Sequence, residues 1–535
     1  MIAAARAEAL DVLVVGAGFG GLYALHKLRA MGWRTRALDA APSVGGTWWA
    51  NRYPGARVDI QSLEYSYSFS ESLQQDWHWT ERYAAQPELL RYADHVADRF
   101  DLRRDLQLDT RVTGARFDEA ACRWQVETDR GAWSARFLVL AIGPLSSPNL
   151  PAFDGLDRFA GQVLHSAAWP LAPVDLAGRH VAVIGTGSSA VQIIPIVAAQ
   201  AETLTVFQRT PAYAVPARNG PLDPAWEARI KADYAGFRAR NRRMYSGFGC
   251  ELSPRPMSAL DAAAGDREAA FEERWGIGGF SLLGAFPDLL TNLRSNELAA
   301  DFVRRKIREI VRDPVTASRL CPGYPIGCKR LCVDTGYYDA YNQPGVRLVD
   351  IGADPIEAIT PGGLRAGGRD HRFDTLILAT GFDAYTGPLL RIDLRGRDGL
   401  RIEDKWRAGP LNYLGLTIAG FPNLFYVAGP GSPSAFTNFF VAVEHHVDWI
   451  ADCISWLDAR GGRAIEASES AEAAWVAQVN LAPQRTVFTH CNSWYLGANI
   501  PGKPRVFLPL VGGFPAYAER CAAVAERGYD GFVVR

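Results

Sequence analysis

Two glycine-rich loops, each set between an apolar strand and a helix, are the first groups in this sequence equipped for chemistry. Residues 11–15 (Asp-Val-Leu-Val-Val) run into Gly16-Ala-Gly18-Phe-Gly-Gly21, and a helical stretch follows over 22–31. Gly16 makes the tight turn, Gly18 lets a pyrophosphate reach the backbone, and Gly21 lets the helix pack on the strand. The helix start offers free N–H groups and the positive end of its dipole to phosphate. A second strand over 35–39 ends in Asp39, placed to accept from a ribose 2′-OH and to repel a 2′-phosphate. This loop therefore takes FAD or NAD, and its place at the start of the chain favours tightly held FAD. The second loop, Gly185-Thr-Gly187-Ser188-Ser189-Ala190, is G-x-G-x-x-A after the strand 180–184. Its helix, 191–199, contains Pro195, which is expected to bend it. The next strand ends in Arg209-Thr210 instead of an acid. An Arg fork holds a 2′-phosphate that a carboxylate would repel, so this loop selects NADPH over NADH.

Positioning two such loops takes more than one core. At 535 residues the chain has room for two to four domains. The fold class is α/β: two Rossmann-like dinucleotide-binding domains, for FAD and NADP, with a helical insertion. The FAD domain is expected from 1–144 and 383–535. The NADP domain is expected from 145–215 and 328–382, with the insertion over 216–327. Helical runs fall near 223–242 and 298–312. Leu376-Ile-Leu-Ala379-Thr380-Gly381 reads as the strand and turn that close the NADP domain, and residues 421–434 return the chain to the FAD domain.

Composition narrows the classes. Hydrophobic residues make up 48% and charged residues 21%, with a net charge of −1. That balance suits a soluble globular protein and argues against nucleic acid as a partner. No apolar run has membrane-spanning length. Residues 1–10 lack the apolar core of a signal peptide, so a cytoplasmic protein is expected. The eight cysteines are scattered, and none forms C-x-x-C. Reduced thiols are expected, with no zinc site and no redox pair of the disulfide-reductase kind. No metal is required.

Between the two loops lies Phe159-Ala-Gly161-Gln-Val-Leu-His165-Ser-Ala-Ala-Trp169-Pro170. It reads as a crossing between the domains, with Phe159 and Trp169 as anchors at the junction, Gly161 as a close backbone pass and His165 as a hydrogen-bonding pivot. As F-x-G-x-x-x-H-x-x-x-W-P it resembles the fingerprint of type I Baeyer–Villiger monooxygenases. Gly45-Gly46-Thr47-Trp48, continuing through Tyr53-Pro54-Gly55-Ala-Arg57-Val-Asp59, is similar to a second motif of that family. So are Tyr324-Pro-Ile-Gly327-Cys-Lys329-Arg330 and the late segment Asn492-Ser-Trp494 to Pro504. The wording at 325–330, 429–434 and 492–504 is nearer to members that take aryl ketones than to the cyclohexanone type, whose loop after Gly429 is shorter.

The resemblance implies FAD and NADPH as cofactors and a ketone with O2 as substrates. It implies Baeyer–Villiger oxidation to an ester or lactone by way of a C4a-peroxyflavin, with sulfoxidation as a side activity. It places Arg330 over the flavin as the cation that stabilises anions there, with Asp59 holding it. Gly46, Thr47, Trp48, Tyr65, Val112 and Phe439 would contact FAD. Arg57, Asp59, Ser188, Ser189, Lys329, Arg330 and Trp494 would contact NADP, with Lys329 on the 2′-phosphate. Ser434, Ala435, Phe436 and Phe440 would line the substrate pocket. His445 and His446 read as details of a helix face. A monomer or weak dimer is expected. Two rivals stand beside this reading: a flavin monooxygenase that oxidises nitrogen or sulfur, and a non-catalytic NADP(H) sensor. The Trp169-Pro170 ending and Arg330 count against the first, and an intact Asp59/Arg330 pair counts against the second.

Overall fold

The computed structural model describes residues 9–535; of the N-terminal stretch read above, residues 1–8 lie outside the described residues. Unbroken Val, Ile and Leu runs make strands buried on both faces. β1 (Ala9–Val15) is such a run, followed by α1 (Phe19–Ala30), β2 (Thr35–Leu38) and β3 (Leu106–Gln107). An antiparallel meander follows: β4 (Val112–Asp118), β5 (Arg123–Thr128) and β6 (Gly131–Leu140). β7 (Gln162–His165) comes next. Then β8 (His180–Ile184), α2 (Ser188–Gln200) and β9 (Thr203–Gln208) repeat the strand–loop–helix–strand plan. α2 continues past Pro195 to Gln200.

β10 (Ala214–Pro216) leads into α3 (Pro224–Ala232), α4 (Tyr234–Arg242), α5 (Ala264–Ile277), α6 (Leu293–Ile310) and α7 (Pro314–Leu320). The helical run expected over 223–242 is thus two helices. They divide at Asp233, whose carboxylate accepts from the Gly236 N–H and starts the second. α5 and α7 lie outside the two expected runs. β11 (Cys332–Asp334) closes the insertion by pairing with β10. There follow β12 (Val346–Asp350), β13 (Ile356–Thr360), β14 (Gly363–Ala366), β15 (Arg369–Arg372), β16 (Thr375–Leu378), β17 (Asp393–Arg395), β18 (Leu424–Tyr426) and α8 (Phe439–Ala459).

Two sheets carry the glycine loops. The first has the order β17-β4-β5-β6-β1-β2-β3, with β18 also on β6. The second, β12-β9-β8-β16-β7, is parallel throughout. The C-terminal part returns to the first sheet, and α8 packs on α1, where Tyr23 donates to Asp448 at 2.7 Å and Lys27 pairs with it at 2.9 Å.

The crossing between the loops is more ordered than a linker. Its residues 162–165 form β7, the edge strand beside β16. Phe159 packs on Phe373 at 5.4 Å within the second sheet's own core, not at a junction between domains. Trp169 is buried in the main core, and Pro170 follows it directly. A Cβ on Gly161 would stand 2.1 Å from the Asp374 carbonyl oxygen. His165 Nδ1 accepts from the Ala167 N–H, while Nε2 lies 3.4 Å from both the Asn149 carbonyl and the Thr380 hydroxyl. Burial lowers its pKa, and because Nδ1 is the acceptor for Ala167, Nε2 is the nitrogen that carries the proton. Among the described residues no helix is long and apolar enough to cross a membrane.

Candidate active site

The two loops are built alike. Gly16 (φ +111°) and Gly185 (φ +122°) each turn where a side chain would strike the residue just past the end of a neighbouring strand. A Cβ would lie 2.4 Å from the Ala141 carbonyl oxygen in one case and 2.3 Å from that of Ala379 in the other. A Cβ on Gly21 would lie 1.8 Å from the Gly16 carbonyl oxygen, so this glycine serves packing behind the wall. α1 and α2 start at Gly18 and Gly187 with no side-chain cap and no acid in the first turn. Their first N–H groups therefore face the cavity for an anion.

One cavity of about 1300 Å³ joins the loops. At its first end Asp39 accepts from the Ala17 N–H at 2.6 Å and the Ala41 N–H at 2.7 Å, each oxygen keeping capacity for another donor. Burial raises its pKa, more than these hydrogen bonds lower it. A Cβ on Gly46 would stand 2.8 Å from Gly18 Cα, so only two bare backbones fit at this point. Thr47, Trp48, Tyr65, Val112 and Phe439 line the adjoining wall, with Trp48 edge-on to Tyr65 at 6.0 Å. Bare backbone, an acid and aromatic walls suit a flat-ringed dinucleotide such as FAD. The second end holds Gly185, Gly187, Ser188, Ser189, Arg209 and Thr210, which suit a second dinucleotide.

Between the ends sits a fixed ion pair. Arg330 donates to Asp59 through Nε at 2.9 Å and Nη2 at 2.8 Å, and through Nη1 to the Ala435 carbonyl at 3.0 Å. Its guanidinium lies 5.0 Å from the Phe280 ring centre. Burial pulls its pKa down, but the charge and hydrogen bonds of Asp59 outweigh that and leave it above the ordinary Arg value. The cation is permanent, and 28% of the side chain remains exposed. Burial, aided by the charge of Arg209, brings Lys329 down to about 8. Arg209 itself is exposed. Arg57 borders the cavity, but its guanidinium is held by Glu81 at 2.7 Å and the Tyr83 carbonyl at 3.0 Å.

The wall beyond Arg330 corrects the sequence reading. Ser434 and Ala435 line the cavity; Phe436 and Phe440 do not. Phe436 packs on Phe488 at 4.6 Å and Tyr495 at 4.8 Å. Phe440 lies in the aromatic core with Phe19 at 4.5 Å and Tyr67 at 4.7 Å, because α8 is capped at Asn438 and its first turn faces α1. The aromatic walls are instead Trp494 and Tyr385, stacked at 6.2 Å. Tyr385 carries no sequence signal: it stands four residues past the strand and turn read at 376–381 and belongs to no motif. Asn499 also lines the cavity and donates to the Phe382 carbonyl at 2.7 Å.

The reduced-thiol expectation fails at one pair. Cys328 and Cys491 form a disulfide, with Cα atoms 6.1 Å apart, while the other six cysteines are free. Neither spacing nor neighbours marked this pair, since 163 residues separate its members. The bond ties the residue before Lys329 to the loop that carries Trp494.

Known proteins match the chain throughout. A family model described as pyridine nucleotide-disulphide oxidoreductase matches residues 13–238. A Baeyer-Villiger monooxygenase of Pseudooceanicola batsensis is 43% identical over 98% of this chain and 96% of its own. The phenazine N-monooxygenase PhzNO1 of Lysobacter antibioticus is 40% identical over 98% and 97%. A solved structure of an oxidized steroid monooxygenase bound to NADP superposes with a TM-score of 0.94 at 50% identity, covering 98% of this chain and 99% of that one.

Proposed function

The chain belongs to the type I Baeyer–Villiger monooxygenases, and from that membership we propose how its residues do the work and which ketones it takes. The reaction is NADPH- and FAD-dependent Baeyer–Villiger oxidation of ketones: ketone, O2, NADPH and a proton give ester or lactone, NADP+ and water. Reduced FAD, when bound, supplies the activated dioxygen. The first loop, with Asp39, Gly46, Thr47 and Trp48, holds it, and the second loop, with Arg209 and Lys329, holds NADPH. Arg330 presents a fixed positive charge to the anions of oxygen insertion, and Asp59 keeps its fork oriented. The observation that carries this reading is the two-pronged Arg330–Asp59 pair facing the cavity that joins both loops.

Lys329 gives the reading a pH signature. Its pKa near 8 in the free protein rises when a 2′-phosphate binds beside it. Its contribution to NADPH affinity is therefore full below pH 8 and fades as pH climbs above it. KM for NADPH should rise over that window while KM for NADH stays flat. Parallel curves for the two coenzymes would remove Lys329 from the phosphate site.

For substrate, we read the chain as most similar to phenylacetone monooxygenase, taking aryl or bulky ketones. Tyr385 and Trp494 give the pocket aromatic walls, and a steroid monooxygenase stands among its structural relatives. A panel of phenylacetone, cyclohexanone and a steroid ketone tests this; turnover confined to cyclohexanone would contradict it. The phenazine N-monooxygenase relative supports a second reading, oxidation at aromatic nitrogen. A phenazine and a thioether belong in the same panel, and N-oxide in place of ester would favour that reading.

A further inference from the structure

Tyr385 sits in a conformation that its residue type resists. Its backbone has φ +64° and ψ −66°, and the Thr386 N–H donates to the Ala384 carbonyl at 2.8 Å. This is a positive-φ γ-turn, strained for any residue with a side chain and best suited to glycine. Strain of this kind persists only where the surroundings over-determine it, and it gathers at functional sites.

The surroundings do over-determine it. The Tyr385 N–H donates to the Pro144 carbonyl at 2.8 Å. The ring is buried and stacked on Trp494. The hydroxyl lies 3.1 Å from Ser434 Oγ, in a hydrogen bond that either hydroxyl can donate, and Ser434 Oγ also lies 3.4 Å from the Ala428 carbonyl. The Ala435 N–H faces the same hydroxyl. On the other side of that residue, the Ala435 carbonyl accepts from Arg330. The flanking turn is fastened to the Trp494 loop as well: Lys503 pairs with Asp383 at 2.5 Å and donates to the Ala384 carbonyl at 2.8 Å.

We propose that Tyr385 is a positioning residue for oxygen insertion, its ring seating Trp494 and its hydroxyl fixing the Ser434–Ala435 backbone that holds Arg330. One residue on a strained backbone thereby links the seat of the Trp494 loop to the placement of the cation. This inference rests on the reading of Arg330 given above.

Tyr385→Phe and Tyr385→Leu separate the two contacts. Tyr385→Phe keeps the ring, so hydrogen–deuterium exchange over residues 493–508 should match the unmodified protein. Ester formed per NADPH consumed should nonetheless fall several-fold, with flavin reduction by NADPH unchanged. Tyr385→Leu should show that same loss of coupling and, in addition, exchange over 493–508 at least tenfold faster and weaker NADP+ binding by calorimetry. A Tyr385→Phe protein that couples as well as the unmodified one overturns the hydroxyl's role. Unchanged exchange in Tyr385→Leu overturns the ring's role. Arg330→Ala, run alongside, keeps the failures apart. If it leaves ester yield intact, the Arg330 reading has failed; if it abolishes ester while Tyr385→Phe is normal, only this inference has.

Discussion

Arg330→Ala should lower ester formation by roughly two to three powers of ten while NADPH continues to be consumed. In the role proposed for Arg330, hydride transfer moves between weakly charged partners, whereas oxygen insertion passes through anions beside the guanidinium. Removing a fixed stabiliser of such charge typically costs about 2.7–4 kcal/mol. The cost is specific here because the fork is already oriented by Asp59 and by the Ala435 carbonyl, so no reorganisation is needed during reaction. The substitution also leaves Asp59 without its partner, which adds an unfavourable negative charge to the same wall. Arg330→Lys should rescue little, since an ammonium cannot make two parallel bonds to Asp59 and a third to Ala435. Electrons that no longer reach ketone should leave as hydrogen peroxide. Stopped-flow flavin reduction and ester yield, measured on one preparation, check both halves of the expectation.

Arg209→Ala should raise KM for NADPH by roughly ten- to a hundredfold and leave KM for NADH nearly unchanged. A charge-assisted contact to the 2′-phosphate is typically worth about 1.5–3 kcal/mol. The guanidinium is exposed and makes no hydrogen bond or ion pair among the described residues, so the substitution should strand no partner there. Its loss also relieves Lys329 of a neighbouring positive charge, since Arg209 is among the causes that lower the Lys329 pKa. The NADPH titration curve of the variant should therefore move to higher pH. Equal losses with both coenzymes would place Arg209 outside the phosphate site.

The parts of the molecule set by local backbone chemistry were legible in the sequence. Both glycine loops, Asp39 and Arg209 stand on elements whose hydrophobic pattern and turn residues specify them locally. Asp59 and Arg330 were found only through resemblance, because 271 residues separate them and no spacing rule joins them. The misreadings have physical causes. Phe436 and Phe440 lie near the pocket in sequence, but the cap at Asn438 sets the phase of α8 and points Phe440 inward. Residues 162–165 looked like a linker because a four-residue strand at a sheet edge has too short a pattern to read, and its partner β16 lies far along the chain. The Cys328–Cys491 bond and the Tyr385 turn are products of tertiary contact alone, which no local pattern encodes.

This chain inserts one atom of dioxygen into a ketone. The direct measurement incubates the purified protein with FAD, NADPH, phenylacetone and ¹⁸O₂, and follows ester by mass spectrometry against NADPH consumed. The expected product is ester carrying a single ¹⁸O atom, close to one per NADPH. NADPH oxidation that yields only hydrogen peroxide, with no labelled ester from any ketone of the panel, would contradict it.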